Sequence, residues 1–192
     1  MSHVKTDKLS ARTASGTVEL GVSGETISIP SGVTISNSGT ATGFGVSNKF
    51  CQVVLGSDQT VTKNVITKMN FDTELQDPNG WFDAVTNYRF QPDEAGFYFC
   101  HAEIASSNLA TSYDACDLYF YKNGSEVLSH ENEARNSYIT QITLTGVIEF
   151  NGSTDYVEIY SRWGANGTLT WKATAFNGAT ATNCKASFVR LT

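Results

Sequence analysis

The stretch that most constrains the fold is Phe97–Ile104, in which two kinds of residue alternate. Positions 98, 100, 102 and 104 carry tyrosine, cysteine, alanine and isoleucine, while Phe97, Phe99, His101 and Glu103 run from aromatic to charged. Successive side chains of a strand point to opposite faces. The pattern predicts a central strand of a sandwich, buried on one face throughout. We expect another subunit to cover part of its second face, at Phe97, Phe99 and His101.

A second strand precedes this one. Val85–Phe90 is separated from it by the sequence Gln-Pro-Asp-Glu-Ala-Gly, in which Pro92 restricts one φ angle and Gly96 permits an unusual one. This arrangement predicts that the two stretches form an antiparallel pair.

Composition indicates an all-β chain. Of the 192 residues, 17% are charged and 40% hydrophobic, and the 16 glycines accompany many threonines, serines and asparagines in place of helix-favouring residues. The net charge of −6 argues against a nucleic-acid partner, since phosphate neutralisation needs clustered lysine and arginine. The first ten residues lack an apolar segment, and no apolar run reaches the roughly 18 residues of a membrane span. We therefore expect neither an export signal nor membrane insertion.

The cysteines predict no metal or cofactor. Cys51, Cys100, Cys116 and Cys184 show no CxxC spacing, and each lies in or beside an apolar run. We expect four reduced, buried thiols, with a disulfide pair as the alternative.

Three segments can be distinguished along the chain. Residues 1–16 are polar and lack periodicity, which predicts an extended N-terminal arm that docks on another protein. Residues 17–45 contain three short β-like pieces with two apolar residues each, which indicates a short β stalk wound from several chains, the alternative being a disordered linker. Residues 46–192 form the head domain.

Asn-Gly pairs organise the second half of the head. They occur at Asn123, Asn151 and Asn177, between strand-like runs, and Asn-Gly is a strong signal for a tight hairpin. We predict a β-sandwich of about eight to ten strands. Strict antiparallel alternation would place all three turns at one end, away from the stalk, and the loops 162–168 and 129–137 at the stalk end or flank.

Several motifs in this order resemble the jelly-roll head of complement's first component and, more distantly, of the tumour necrosis factor superfamily. They are NGWFDAVTNYRFQPDEAGFYFC, DLYFYKNGSEV, ITLTGVIEFNGSTDYVEIY and ASFVRL. The resemblance implies a jelly-roll sandwich that forms homotrimers through aromatic faces, usually behind a fibrous stalk. The stalk here is not collagen, because glycine does not recur at every third position. Residues 7–43 instead resemble short β-prism segments of structural proteins from marine tailed bacteriophages.

No catalytic motif is present: His130-Glu131 lacks a second histidine at zincin spacing, and there is no Gly-x-Ser-x-Gly elbow. Carboxylates at Asp114, Asp117 and in 131–133 could attract calcium, but no loop pattern supports a metal site, and solvated charges are the preferred interpretation. Saccharide recognition favours exposed aromatic rings beside amides and carboxylates. Two groups fit that description, with packing of their rings in the core or trimer seam as the alternative: Asn108, Tyr113 and Asp114; Arg162, Trp163 and Asn166.

These observations favour a non-enzymatic, homotrimeric bacteriophage fibre protein of tail or head. It would be assembled in the host cytoplasm, would join other virion proteins through its arm, and would display its head to a host cell-surface glycan or protein. One alternative is a capsid decoration or cement protein using the same trimer. A polysaccharide-degrading enzyme is a further alternative, but it needs paired carboxylates in a cleft, and no such pair occurs on facing strands.

Overall fold

The structure is a computed structural model, which describes residues 17–18, 25–34, 36, 38, 49–106, 114–134, 140–164, 168–173 and 184–191. The chain divides into two compact units, Met1–Val46 and Ser47–Thr192. The boundary expected between stalk and head lies between residues 45 and 46.

The described part of the second unit is built from strands without helices, so the predicted all-β class is confirmed. The strands are β1 Phe50–Val54, β2 Gln59–Thr62, β3 Thr67–Lys68, β4 Thr73–Gln76, β5 Phe82–Asp83, β6 Arg89–Phe90, β7 Ala95–Ser106, β8 Asp114–Lys122, β9 Ser125–Ala134, β10 Thr140–Asn151, β11 Val157–Trp163, β12 Thr168–Trp171 and β13 Lys185–Arg190.

These strands form two sheets. The first sheet has the order β2-β12-β7-β13-β1-β4, with β10 paired to the other edge of β7, and the second has the order β5-β6-β11-β8-β9, with β3 paired to β11. The three neighbours of β7, namely β10, β12 and β13, all run antiparallel to it. The two sheets enclose one hydrophobic core, which is the arrangement of a jelly-roll sandwich.

The inner face of β7 lies at the centre of this core. Tyr98 and every second residue after it up to Ile104 are fully buried, as the alternation predicts. Aromatic rings from both sheets meet there. Phe90 of the second sheet stacks on Phe188 of the first at 4.2 Å between centroids, and Tyr98 meets Phe150 edge to face at 5.2 Å. Such ring pairs add specificity to the burial of apolar area.

The predicted pairing of Val85–Phe90 with the following strand is wrong. β6 pairs with β5 and β11 in the second sheet, whereas β7 belongs to the first. Phe90 and Tyr98 both point into the core, from opposite sheets, and their rings lie 5.6 Å apart. The connection through buried Pro92 therefore passes from the second sheet to the first instead of reversing the chain within one sheet, because both aromatic residues need the same apolar interior.

The Asn-Gly pairs behave differently from one another. Asn123 and Gly124 have φ angles of 52° and 80° and close the predicted hairpin between β8 and β9. At Asn151-Gly152 the hairpin prediction is wrong, because β10 and β11 lie in different sheets. There the Asn151 side-chain oxygen accepts the N–H groups of residues 153, 154 and 155, and thus stabilises a crossing turn, which passes between the sheets. The pair at Asn177 lies outside the described residues.

The Asn123 and Asn151 turns do lie at one end of the sandwich, since Asn123 Nδ2 donates to Asp155 Oδ1 at 2.8 Å. However, the chain also enters the head at this end. The Lys49 carbonyl accepts the N–H of Arg190, which pairs with Tyr98 near the start of β7, and the start of β7 lies opposite Asn151. The expectation that these turns point away from the entry point is therefore wrong.

The short strand β12 explains this error. It covers four residues and stays at the far end of the sheet, where Trp171 pairs with Ser106. Because β12 does not run the length of the sandwich, it does not return the chain to the end with the Asn123 and Asn151 turns. The next strand, β13, therefore ends at those turns and not at the opposite end. The segments that flank residues 165–167 and 135–139 consequently lie at the end opposite Lys49, which we call the distal end.

In the first unit the described residues 25–34 form no strand within the single chain. A turn at Ser31-Gly32 is closed by a bond from the Val33 N–H to the Pro30 carbonyl at 3.2 Å. Ile27, Ile29 and Val33 leave 57%, 45% and 58% of their surface exposed. The stalk of several chains stays a prediction, and the arm of residues 1–16 lies outside the described residues.

Candidate functional site

An exposed aromatic surface covers the outer face of the first sheet. Phe97 and Phe99 of β7 are 48% and 40% exposed, although their neighbours Tyr98 and Cys100 are fully buried. Half-exposed rings on a regular sheet leave apolar surface in water. Covering that surface with a partner would stabilise a complex by about 1 kcal/mol for each ring. The alternation of residues in Phe97–Ile104 predicts both rings on the face that another subunit covers.

The apolar surface continues across the sheet. Phe99 lies opposite Val147 of β10 on one side and opposite Val189 of β13 on the other, and Val189 lies opposite Phe50 of β1. Val147 and Val189 are 54% and 41% exposed. We call these four residues, Val147, Phe99, Val189 and Phe50, the apolar row. A contiguous apolar row on a four-strand face is typical of a protein interface.

Three members of the apolar row are not apparent from the sequence. Val147 and Val189 lie in apolar segments whose inner and outer faces differ little in character, and Phe50 begins a short strand. Their common feature is cross-strand register with Phe99, which no local pattern reveals. Leu191, 51% exposed, extends the surface beside Phe97, to whose carbonyl it donates its N–H.

A polar group borders the apolar row on the distal side. Lys185 Nζ lies 3.1 Å from Glu103 Oε2, and His101 Nε2 lies 3.9 Å from the same oxygen. The Gln141 amide also donates to Glu103. Burial lowers the pKa of His101, and Lys185 lowers it further, although Glu103 opposes both effects. The neutral form of His101 is therefore favoured at neutral pH, and a neutral ring can be covered by a partner at little electrostatic cost.

The distal end carries the described residues of the two groups predicted to bind a ligand. Trp163, at the end of β11, pairs with Cys116 of β8, so that the start of β8 at Asp114 and the end of β11 lie side by side. The fold thus brings Asp114 of one predicted group and Arg162 and Trp163 of the other to one end of the second sheet. Asn108, Tyr113 and Asn166 lie outside the described residues, and Asp114 is placed here only by its backbone.

The side chains of Arg162 and Trp163 have structural contacts. Trp163 is 2% exposed and belongs to the core, so its ring does not form the exposed platform that we expected. Arg162 Nε donates to Asp117 Oδ2 at 2.5 Å, and the Tyr119 hydroxyl donates to the same oxygen at 2.8 Å. Because Asp117 is buried, Arg162 neutralises a charge that would otherwise be costly.

Metal and membrane sites find no support in the described part of the chain. No group of three or more histidine, cysteine, aspartate or glutamate residues there is arranged to hold a metal ion. The four cysteines are free and buried, and burial raises the pKa of their thiols, to about 12 for Cys100 and Cys184. No helix in the described ranges is long and apolar enough to cross a membrane.

Comparison with known proteins supports the fold. No protein-family model and no curated protein matches the sequence. Among solved structures, murine APRIL at pH 5.0 matches with TM-score 0.53 and 10% identity, over 74% of this chain and 98% of that one. The Eiger TNF of S. frugiperda matches with TM-score 0.52 and 9% identity, over 74% and 92%.

The globular domain of the zebrafish complement 1qA protein also matches, at 16% identity over 73% of this chain and 93% of that one, with TM-score 0.48, below the value on which a fold assignment can be based. Identities this low show the fold alone. The head of this protein has the jelly-roll fold seen in the tumour necrosis factor-like domains of APRIL and Eiger.

Proposed function

We propose that this protein is a homotrimeric virion fibre protein of a tailed bacteriophage, whose jelly-roll head serves host-surface attachment. The observation that carries the proposal is the apolar row of Val147, Phe99, Val189 and Phe50 on an open sheet face. Both valines of the row and Phe99 are at least 40% exposed, so an isolated protomer leaves them in water. Packing against identical neighbours would remove this surface from solvent.

The first unit supports the same interpretation. The single chain leaves Ile27, Ile29 and Val33 exposed. The same residues of identical neighbouring chains could pack against them and bury them. The similarity of residues 7–43 to β-prism segments of phage structural proteins supports the virion location. Residues 1–16 would then dock on other virion proteins.

Trimerisation suits attachment, because three linked heads bind a repetitive surface with avidity. Linking weak sites raises the apparent affinity by orders of magnitude without new contacts. The partner would be a host cell-surface glycan or protein, and the proposed function includes no catalytic step. A decoration protein would use the same trimer on the capsid, so location on the particle separates the two functions.

Two measurements test the proposal. Light scattering on the purified chain should give a mass close to three times 20.8 kDa, and a stable monomer would overturn the trimer. Immunogold electron microscopy of virions should then label fibres. Label spread evenly over the capsid would instead support decoration, and release of reducing sugar from host polysaccharide would contradict the absence of catalysis.

A further inference from the structure

A polar cleft opens on the outer face of the second sheet, at the edge formed by β5 and β6. Its volume is about 310 Å³, at the lower end of the range for small-molecule sites. Its polar groups come from Asp83, Arg89, Gln91 and Asp93, and Gly80 and Ser153 also line it. Phe82 and Pro92 lie at its base and are themselves buried.

Arg89 is the central polar group of the cleft. Its guanidinium carbon lies 4.4 Å from the centre of the Tyr156 ring, and its Nη2 donates to Gln91 Oε1 at 2.8 Å. None of the carboxylates in the described part of the chain forms an ion pair with Arg89. The ring therefore holds the guanidinium plane in place while other N–H groups along its edge stay available to a ligand.

The two carboxylates of the cleft differ in what they can offer. Both oxygens of Asp83 accept N–H groups of the following loop, from Val85 to Asn87, and the bond from Thr86 is the main reason why its pKa falls to about 2. Asp93 Oδ1 accepts the indole N–H of Trp81 at 2.5 Å, and Oδ2 accepts no bond from a described residue. Asp93 can therefore accept a hydrogen bond from a ligand, and Asp83 mainly contributes charge.

This combination selects for a neutral ligand rich in hydroxyl groups. An anion would meet the charges of Asp83 and Asp93, and a cation would meet Arg89. Hydroxyl groups of one ligand can both accept from Arg89 and donate to Asp93, which a ligand that only donates or only accepts cannot do. Several hydroxyl groups on one small neutral ligand are the chemistry of a sugar.

We propose that this cleft binds a neutral saccharide unit, which gives the proposed attachment function its ligand class and rests on that function. The cleft is pre-formed: Gln91 donates its N–H to the Trp81 carbonyl at 2.7 Å and its side-chain amide to the Ser153 carbonyl at 3.0 Å. Pre-formed polar groups lower the ordering cost of binding. Because the apolar row lies on the other sheet, trimerisation through that row leaves this face for the ligand.

The test uses the full chain and immobilised oligosaccharides of glucose, galactose, mannose and N-acetylglucosamine, with sialylated and sulfated oligosaccharides alongside. At least one neutral oligosaccharide should be retained. Arg89→Ala should lower its affinity about tenfold, the loss expected for one charge-assisted hydrogen bond. Ser153→Trp places a large ring at an exposed position on the rim of the cleft and should block retention. It provides a second variant if Arg89→Ala does not fold.

Lys172→Ala is the matched control, because it removes one surface cation, paired with Asp58, at the distal end. It should bind as the unmodified chain does. Retention of anionic oligosaccharides only, no retention of any neutral one, or unchanged affinity in Arg89→Ala and Ser153→Trp would each overturn the saccharide cleft. A monomeric chain that still binds the sugar would overturn the trimer and leave the cleft standing, whereas a fibre trimer that binds none would do the reverse.

Discussion

Phe99 of β7 and Val147 of β10 lie directly opposite one another on the outer face of the first sheet, and 40% and 54% of their surfaces are exposed. Regular strands present side chains in such pairs, so each member adds to the other's apolar surface. This pair lies at the centre of the face on which we expect the protomers to associate.

Phe99→Asp should prevent assembly, because a partner would have to bury an unpaired charge at the centre of the apolar row. Phe97→Asp should act in the same way. Light scattering of both variants should give a monomer mass with an unchanged β-rich circular dichroism spectrum. Val127→Asp is the matched control, since Val127 is 44% exposed on β9 of the second sheet. Normal oligomers from both phenylalanine variants would show that this face has another role.

Arg162→Ala should destabilise the head strongly. It leaves the buried carboxylate of Asp117 without its cation, a loss of about 3 kcal/mol in the free energy of unfolding. Urea denaturation of Arg162→Ala, Asp117→Asn and the double variant measures the coupling between the two residues. If the single and double variants unfold at the same urea concentration as the unmodified chain, the pair is not structural.

The stability of the head should fall as the pH is lowered below about 6.5, the ordinary pKa of histidine. Burial lowers the pKa of His101 in the folded chain, so the unfolded chain takes up the proton first, and that uptake favours unfolding. Thermal melting between pH 8 and pH 5.5 should show a smaller decrease for His101→Gln. His130→Gln, at an exposed position of β9, is the control. An identical decrease in the unmodified chain and His101→Gln would refute this linkage.

Gly152→Ala should be far more damaging than Gly124→Ala. Both glycines have positive φ, 71° and 80°, so both alanines carry about 1 kcal/mol of backbone strain. A Cβ at Gly152 would also lie 2.2 Å from the Ala95 backbone nitrogen, whereas nothing lies within 4 Å of one at Gly124. We expect about 2 kcal/mol of additional loss for Gly152→Ala, measured by urea denaturation. Equal losses would mean that the crossing turn can move away from β7.

Much of the fold is visible in the sequence wherever a local pattern has one structural solution. The strict alternation from Phe97 to Ile104 identified the central strand and its buried face, because a strand has a two-residue period. Asn123-Gly124 identified its hairpin, because both residues need positive φ. The half-exposed rings of β7 were predicted for the same reason.

The candidate sites were harder to predict, because they depend on residues far apart in sequence. The apolar row requires the register between β1, β7, β10 and β13, and the polar cleft requires Arg89 to meet Tyr156 across two strands. Trp163 looked like a binding platform because its neighbours are polar. Whether a tryptophan is exposed depends on the sheet above it, which its neighbours do not reveal.

By itself, the sequence determined the secondary structure class, the buried face of β7 and the tight turn at Asn123, since each follows from the local preferences of a few consecutive residues. Only the tertiary structure decided that β6 and β7 belong to different sheets, that Asn151 begins a crossing turn, and that the chain enters the head beside those turns. These outcomes depend on which apolar faces pack into one core. Because the hydrophobic effect is non-directional, a local stretch of sequence does not show which distant segment it packs against.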